Sequence, residues 1–304
     1  MNTNQKAIDL LEQNEYEEAL KLFQIAVEES RNIQSLNNLA WMYSYEENDD
    51  EKALELIEEA ISLNPSTYFP FNILGEIYIR QKKWQLASEA FLKSISIQPS
   101  NEAYHNLAVA KYHLGDLKEA SDIFLQVAGD SDDAMFGHVK CLIDLGMKTE
   151  ARKKLEAFNE EADEFVGEIA VADLYVELDC YKEAIYWFEK GWKEYWKVPY
   201  WVSRFVYSLF KTKNINRIYE VIQESLEQKD EEIKDAFEEE CEENWTENDK
   251  KENIKQLCEE KDKYQNMLEL ISSGHIPLIE FDPAATGGCY LFGCKRHNHP
   301  EYQE

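Results

Sequence analysis

Residues 69–99 read FPFNILGEIYIRQKKWQLASEAFLKSISIQP, and the order of small and bulky residues within them decides the fold. Leu74, Gly75 and Tyr78 keep helical spacing in an apolar run, Lys82-Lys83 interrupts it, and Ala87 is followed four positions later by Phe91 before Pro99 ends the pattern. The stretch is therefore helix, turn, helix. The same pairing of a small residue with a bulky one returns at Ala19 and Phe23, Ala53 and Ile57, Ala120 and Phe124, Ala151 and Leu155, Ala184 and Phe188, and, with an isoleucine in the small place, Ile218 and Ile222. The intervals along the whole series are 34, 34, 33, 31, 33 and 34 residues, a regularity that unrelated helices would not produce. Leu39-Ala40 and Leu107-Ala108, each followed by a tyrosine at Tyr43 and Tyr112, mark the first helices of neighbouring units.

A lone hairpin leaves one apolar face open, and the next hairpin in line covers it, so stability accumulates from neighbour to neighbour. The repeated positions resemble the tetratricopeptide repeat (TPR) family, whose pattern is best met by Phe71, Leu74, Gly75, Tyr78, Ala87, Phe91, Ser94 and Pro99. The resemblance covers residues 3–227. It weakens in the first unit and in the seventh, where Ile218 and Ser225 stand in the small positions. It implies an all-α chain, a right-handed superhelical solenoid of about seven hairpins, with a C-terminal capping helix and an irregular tail. The expected division is a solenoid over 3–227, an acidic helical cap over 228–272 and a Cys/His-containing tail over 273–304.

Composition narrows the function. Hydrophobic residues at 44% and aromatics at 12% are too many for a disordered chain. Acids outnumber bases by 61 to 32, and a net charge of -29 repels phosphate and anionic lipid, so nucleic acid and bare membrane are poor partners. The same field either keeps the chain soluble or selects a basic partner. The segment from Met1 to Leu11 lacks the basic start and apolar core of a secretory signal, and the most apolar stretch, from Ile169 to Phe188, is broken by five charged residues. Six cysteines, scattered in a chain of 304 residues, form no compact disulfide framework, which fits a reducing cytoplasm.

In the resembling family the first helix of each hairpin lines a concave wall. That places the partner-binding candidates at Asn37, Trp41, Phe69, Asn72, Glu76, His105, Asn106, Tyr112, Lys140, Asp173 and Tyr207. Aromatic side chains carry much interface energy, although at helical spacing they serve equally as core. Some family members grip the carboxylate end of chaperone clients with basic residues on this wall. Here Asn38 and Asn106 are present, but Asn37, Asn72 and Glu76 stand where charge would be needed. Asparagine can instead bond the main chain of an extended peptide.

Beyond the repeats, residues 230–247 hold ten acids against Lys234 alone, with an apolar stripe at Ile233, Ala236, Phe237 and Cys241. Thr246 is a suitable N-cap for a further helix, which Ser272-Ser273-Gly274 would end. The tail that follows is rich in Pro and Gly. It places Cys289, Cys294, His297 and His299 within 11 residues, four ligands of a type that suits zinc. A metal-free tail packed on the repeats is the competing reading, and the apolar Leu278, Ile279, Phe281, Tyr290, Leu291 and Phe292 count against disorder.

No phosphate loop, nucleophile elbow or catalytic carboxylate pair stands out, so the chain reads as a binding scaffold and not an enzyme. Its expected partner is a protein or peptide, most simply a basic one, by analogy with acidic bacterial immunity proteins that neutralise basic toxins. A regulatory peptide receptor is the alternative, with a metal-dependent hydrolase built on the tail behind it.

Overall fold

The computed structural model describes residues 2–129, 132–161, 165–241 and 245–296. Among them are fifteen α-helices and no β-strand. Fourteen form seven successive pairs: α1 (Thr3–Leu11) with α2 (Tyr16–Glu29), α3 (Ile33–Tyr45) with α4 (Asp50–Ser62), α5 (Phe69–Arg80) with α6 (Trp84–Ile97), α7 (Asn101–Leu114) with α8 (Leu117–Val127), α9 (Asp132–Asp144) with α10 (Lys148–Leu155), α11 (Glu168–Glu177) with α12 (Tyr181–Gly191), and α13 (Pro199–Lys211) with α14 (Ile215–Glu238). The last helix is α15 (Glu247–Ser272). The expected series of seven hairpins with one further helix is what the chain forms.

The small residues that set the period are all fully buried, from Ala19 through Ala184 to Ile218. Their purpose is visible in the third hairpin, where a Cβ built on Gly75 of α5 would stand 2.5 Å from Cζ of Phe91 on α6. Only a residue without a side chain lets that ring lie flat on the opposite helix. In the seventh hairpin Val221 is buried and Ile222 only half-buried, so the bulky place moves by one residue.

Each hairpin turn is closed in one way. Asn14, Asn48, Lys82, Gly115, Gly146, Asp179 and Lys213 all have positive φ, between 52° and 84°, and each lies five residues before the small residue of its hairpin. In six of the seven, the next N–H reaches back to close the turn: Glu15 to Leu10, Lys83 to Tyr78, Asp116 to Lys111, Met147 to Leu142, Cys180 to Tyr175 and Asn214 to Leu209, at 2.8–3.0 Å. This is the left-handed helix ending that satisfies the last carbonyls of the first helix and turns the chain back. The second turn is one residue longer and bonds Asp49 to Tyr43 at 2.8 Å.

The chain divides into two units: residues up to Cys141 together with those from Pro283 onward, and Leu142–Asp282. In the second unit α15 seals the last hairpin. Tyr264, Met267 and Ile271 are buried, the Tyr264 hydroxyl donates to the Lys197 carbonyl at 2.9 Å, and the buried Lys229 of α14 binds Glu232 at 2.5 Å and Glu260 of α15 at 2.7 Å. Thr246 caps α15 reciprocally with Asp249. The change of element expected at residue 228 is absent, because α14 runs unbroken from Ile215 to Glu238. That stretch has neither Gly nor Pro, and all its acids but Glu232, which pairs with Lys229, are exposed, where charge does not end a helix.

Candidate functional site

Asparagine is a poor residue for the middle of a helix, since its amide competes for backbone partners, and burying it without a partner costs about 1–3 kcal/mol. Yet Asn37, Asn38, Asn72 and Asn106 are fully buried on the first helices of three successive hairpins. Their partners explain this. In the first unit the segment from Pro283 to Arg296 lies along α7, α5 and α3, and the amides hold its main chain. Asn38 donates to the Phe292 carbonyl at 3.0 Å and accepts from the Phe292 N–H at 2.8 Å. Asn37 donates to the Tyr290 carbonyl at 2.6 Å, and Gln34 adds a bond to the Phe292 carbonyl at 3.3 Å. On α7, Asn106 donates to the Thr286 carbonyl and accepts from the Thr286 N–H, both at 2.8 Å. His105 meets the Ala284 carbonyl at 3.2 Å through Nε2, which must carry the proton to donate there. Burial lowers the His105 pKa, which keeps the ring neutral.

Side chains anchor the same segment. Tyr290, Leu291 and Phe292 are 3%, 3% and 6% exposed. Tyr290 and Phe292 join the core of Ala40, Phe69, Ile73 and Ile77, with the Phe292 ring edge-on to Phe69 at 5.0 Å between centroids. Leu291 points the other way, into the core of Ile8, Leu36 and Leu39. This alternation is that of an extended chain. Gly293 ends it with φ of 94°, and a Cβ there would stand 3.2 Å from Oε1 of Gln5 and 3.3 Å from Cδ1 of Ile8.

Glu76, on α5, is 2% exposed and faces the middle of the segment. The Tyr45 hydroxyl donates to its Oε2 at 2.5 Å, and burial pushes its pKa up to about 7. Burial, and then the charge of Glu76, raise the Tyr290 hydroxyl in turn. Asn72 accepts from the Ser94 hydroxyl at 2.5 Å and also meets the Tyr290 hydroxyl of the segment. Trp41 stacks on Tyr45 at 5.2 Å, and Lys140 reaches the Tyr112 hydroxyl at 3.5 Å.

The second unit holds its own portion of the irregular chain. Arg204, with no exposed surface, donates to the Pro277 carbonyl at 2.8 Å, to Asp173 Oδ1 at 2.6 Å and to Glu177 at 2.8 Å. Tyr200 donates to Asp173 Oδ2 at 2.6 Å and accepts from the Glu280 N–H at 3.2 Å. Burial raises the Asp173 pKa against the pull of Arg204. Tyr207 packs edge-on to Tyr181 at 5.8 Å.

Of the residues proposed from sequence, Asn37, Phe69, His105 and Asn106 touch the segment, and Trp41 and Glu76 flank it. Asn72 bonds Ser94 and also meets the Tyr290 hydroxyl, Tyr112, Lys140 and Tyr207 bond or pack within the helices, and Asp173 is locked under Arg204. Asn38, an asparagine of the wall that stands outside the partner-binding candidates, makes the fullest grip, and Gln34, which the sequence reading does not name, extends it. Asn38 differs from Asn37 only in its position on the helix, and a polar buried neighbour pair was the available signal. Cys289 and Cys294 lie at the first unit's end of the segment, where a hydrogen bond with Cys294, and then burial, raise the Cys289 thiol. His297 and His299, the other half of the expected zinc set, lie outside the described residues. Among the described residues no group of three or more His, Cys, Asp or Glu is gathered to hold a metal, and no helix is long and apolar enough to cross a membrane.

Comparison with known proteins agrees on the repeat. Residues 6–122 match the family model of the ChAPs (Chs5p-Arf1p-binding proteins), which is less than half of the chain. Over 84 residues, 27% of this chain, the sequence is 30% identical to the peroxisomal targeting signal receptor of Saccharomyces cerevisiae. Over 165 residues, 51% of this chain, it is 27% identical to the human protein O-mannosyl-transferase TMTC3. The chain spans only 14% and 18% of the lengths of these two relatives. The solved structure of PilF from Pseudomonas aeruginosa aligns with 64% of this chain and 90% of that one, at a TM-score of 0.51 and 15% identity. Together they establish a TPR-like fold of helical repeats.

Proposed function

We propose that this chain is a non-enzymatic scaffold that holds a partner protein by an extended segment, laid in the groove of α3, α5 and α7 where its own tail now lies. One observation carries this reading: Asn38 and Asn106 each pair with both the N–H and the C=O of one residue of an extended chain. Such a grip recognises a main chain whatever side chains it bears, and apolar pockets beside it supply selection. The yeast relative is by name a receptor for a targeting signal, and it supports the same kind of task here, over the part of the chain that matches.

The partner is proposed to be basic. Acids on the outer face of α14 and beyond it are exposed, and the net charge of -29 favours a cationic surface in both encounter and complex. A reducing cytoplasm is the proposed location, on the strength of cysteine usage alone. The test is capture from the native cell by the full-length chain and by a variant carrying Asn38→Ala and Asn106→Ala. A stoichiometric partner held by the wild type should be lost or weakened about tenfold by the double variant. Full retention by the variant would mean that the groove is not the binding surface.

A further inference from the structure

The grip on the tail repeats itself. Asn37-Asn38 precede Leu39-Ala40 on α3, and His105-Asn106 precede Leu107-Ala108 at the same place on α7. In each pair the first residue meets the carbonyl of one tail residue, Tyr290 or Ala284, and the second pairs with both polar groups of the residue two further on, Phe292 or Thr286. The two grips stand two hairpins apart and six tail residues apart, hence three tail residues per hairpin. Extended chain advances about 3.3 Å per residue, so three residues span about 10 Å, close to the 8–10 Å that separates packed helices. The register therefore belongs to the scaffold. On α5, between the two, Asn72 and Ile73 precede Leu74-Gly75, and Ile73 has no amide to complete a third grip.

Side-chain demands are local. Pockets on opposite faces take Tyr290 and Phe292 on one side and Leu291 on the other, and Gly293 is required both by its backbone conformation and by the closeness of α1. We propose, building on the scaffold reading, that the groove takes from a partner protein an extended segment bearing an aromatic, an aliphatic, an aromatic and a glycine in succession. The second aromatic and the residue six positions before it must both carry an N–H, which forbids proline at either place. The chain's own tail is the resident competitor, tethered at an effective concentration on the order of millimolar, and it masks the groove until it is displaced.

The test uses the full-length chain and a fluorescent peptide of residues 283–296. The peptide should bind the Phe292→Ala chain at least about tenfold more tightly than the wild type, because the resident tail is then weakened. Peptides carrying Thr286→Pro or Phe292→Ala should each lose about tenfold, as should the parent peptide on a Phe292→Ala chain that also carries Asn106→Ala. Equal binding of the parent and the Thr286→Pro peptide overturns the proposal. A peptide library separates this failure from that of the scaffold: binders that lack the motif but depend on Asn38 and Asn106 sink the motif alone, whereas no binder that depends on them sinks both. Should Phe292→Ala fail to fold, excess parent peptide is added to the wild type and hydrogen exchange is read at Thr286 and Phe292. Faster exchange supports displacement of the tail, and unchanged exchange overturns it. A wild-type dimer that Phe292→Ala dissolves would assign the groove to a second copy's tail and also overturn the proposal.

Discussion

Glu76 shows how a single buried carboxylate can tie stability to pH near neutrality. Around it stand Tyr45 of α3, Arg80 of α5, Glu102 of α7 and Tyr290 of the tail, and burial outweighs the bond from Tyr45 to leave its pKa at about 7 against an ordinary 4.5. Between those values the folded chain keeps a proton that the unfolded chain has released, so stability falls as pH rises through that window and levels off above it. The difference amounts to about 3 kcal/mol for a group this buried. Urea unfolding at pH 5 and pH 8 should show that much less pH dependence in Glu76→Gln than in the wild type; parallel behaviour of the two would refute the assignment. Glu76 was readable from sequence as a wall residue but not as a buried one, because the tyrosines that cover it come from α3 and from the distant tail. Asparagine was a better guide. An amide in mid-helix asks for a partner, and Asn37 and Asn106 find theirs on the main chain of the tail while Asn72 accepts from the Ser94 side chain.

At the level of the helical hairpin, the left-handed turn residue is the repeated device. Lys82 and Asp179 hold this conformation at φ of 56° and 60° with a side chain that disfavours it, whereas Gly115 and Gly146 hold it at no steric cost. Lys82→Gly should therefore stabilise the chain by about 0.5–1 kcal/mol, and thermal melting will read it; a loss of stability would mean that the lysine side chain has an offsetting role. The hairpins themselves were legible because their small residues share one chemistry. The turn was legible at Lys82-Lys83, but the left-handed conformation common to all seven turns was not, because Asn, Lys, Gly and Asp share a backbone angle and not a composition. The extent of α14 was missed for a related reason: a run of acids looks like a boundary, but nothing in its backbone preference stops a helix.

For the molecule as a whole, charge and chain order matter most. If the exposed acids help to hold a basic partner, the complex should weaken by about tenfold or more between about 50 and about 500 mM salt, and an affinity indifferent to salt would exclude a Coulombic share. The seat of the tail was beyond sequence reading, since Asn38 and Phe292 lie 254 positions apart and their bonds run to the main chain, which leaves no pattern in residue types. That separation has a consequence during synthesis. Ribosomes add about 5–20 residues per second, so Asn38, Phe69 and Asn106 emerge roughly ten seconds or more before the strand that will cover them. In that interval the nascent chain presents an open, sticky cleft, and whatever meets it first, chaperone or cognate ligand, has no rival for the seat.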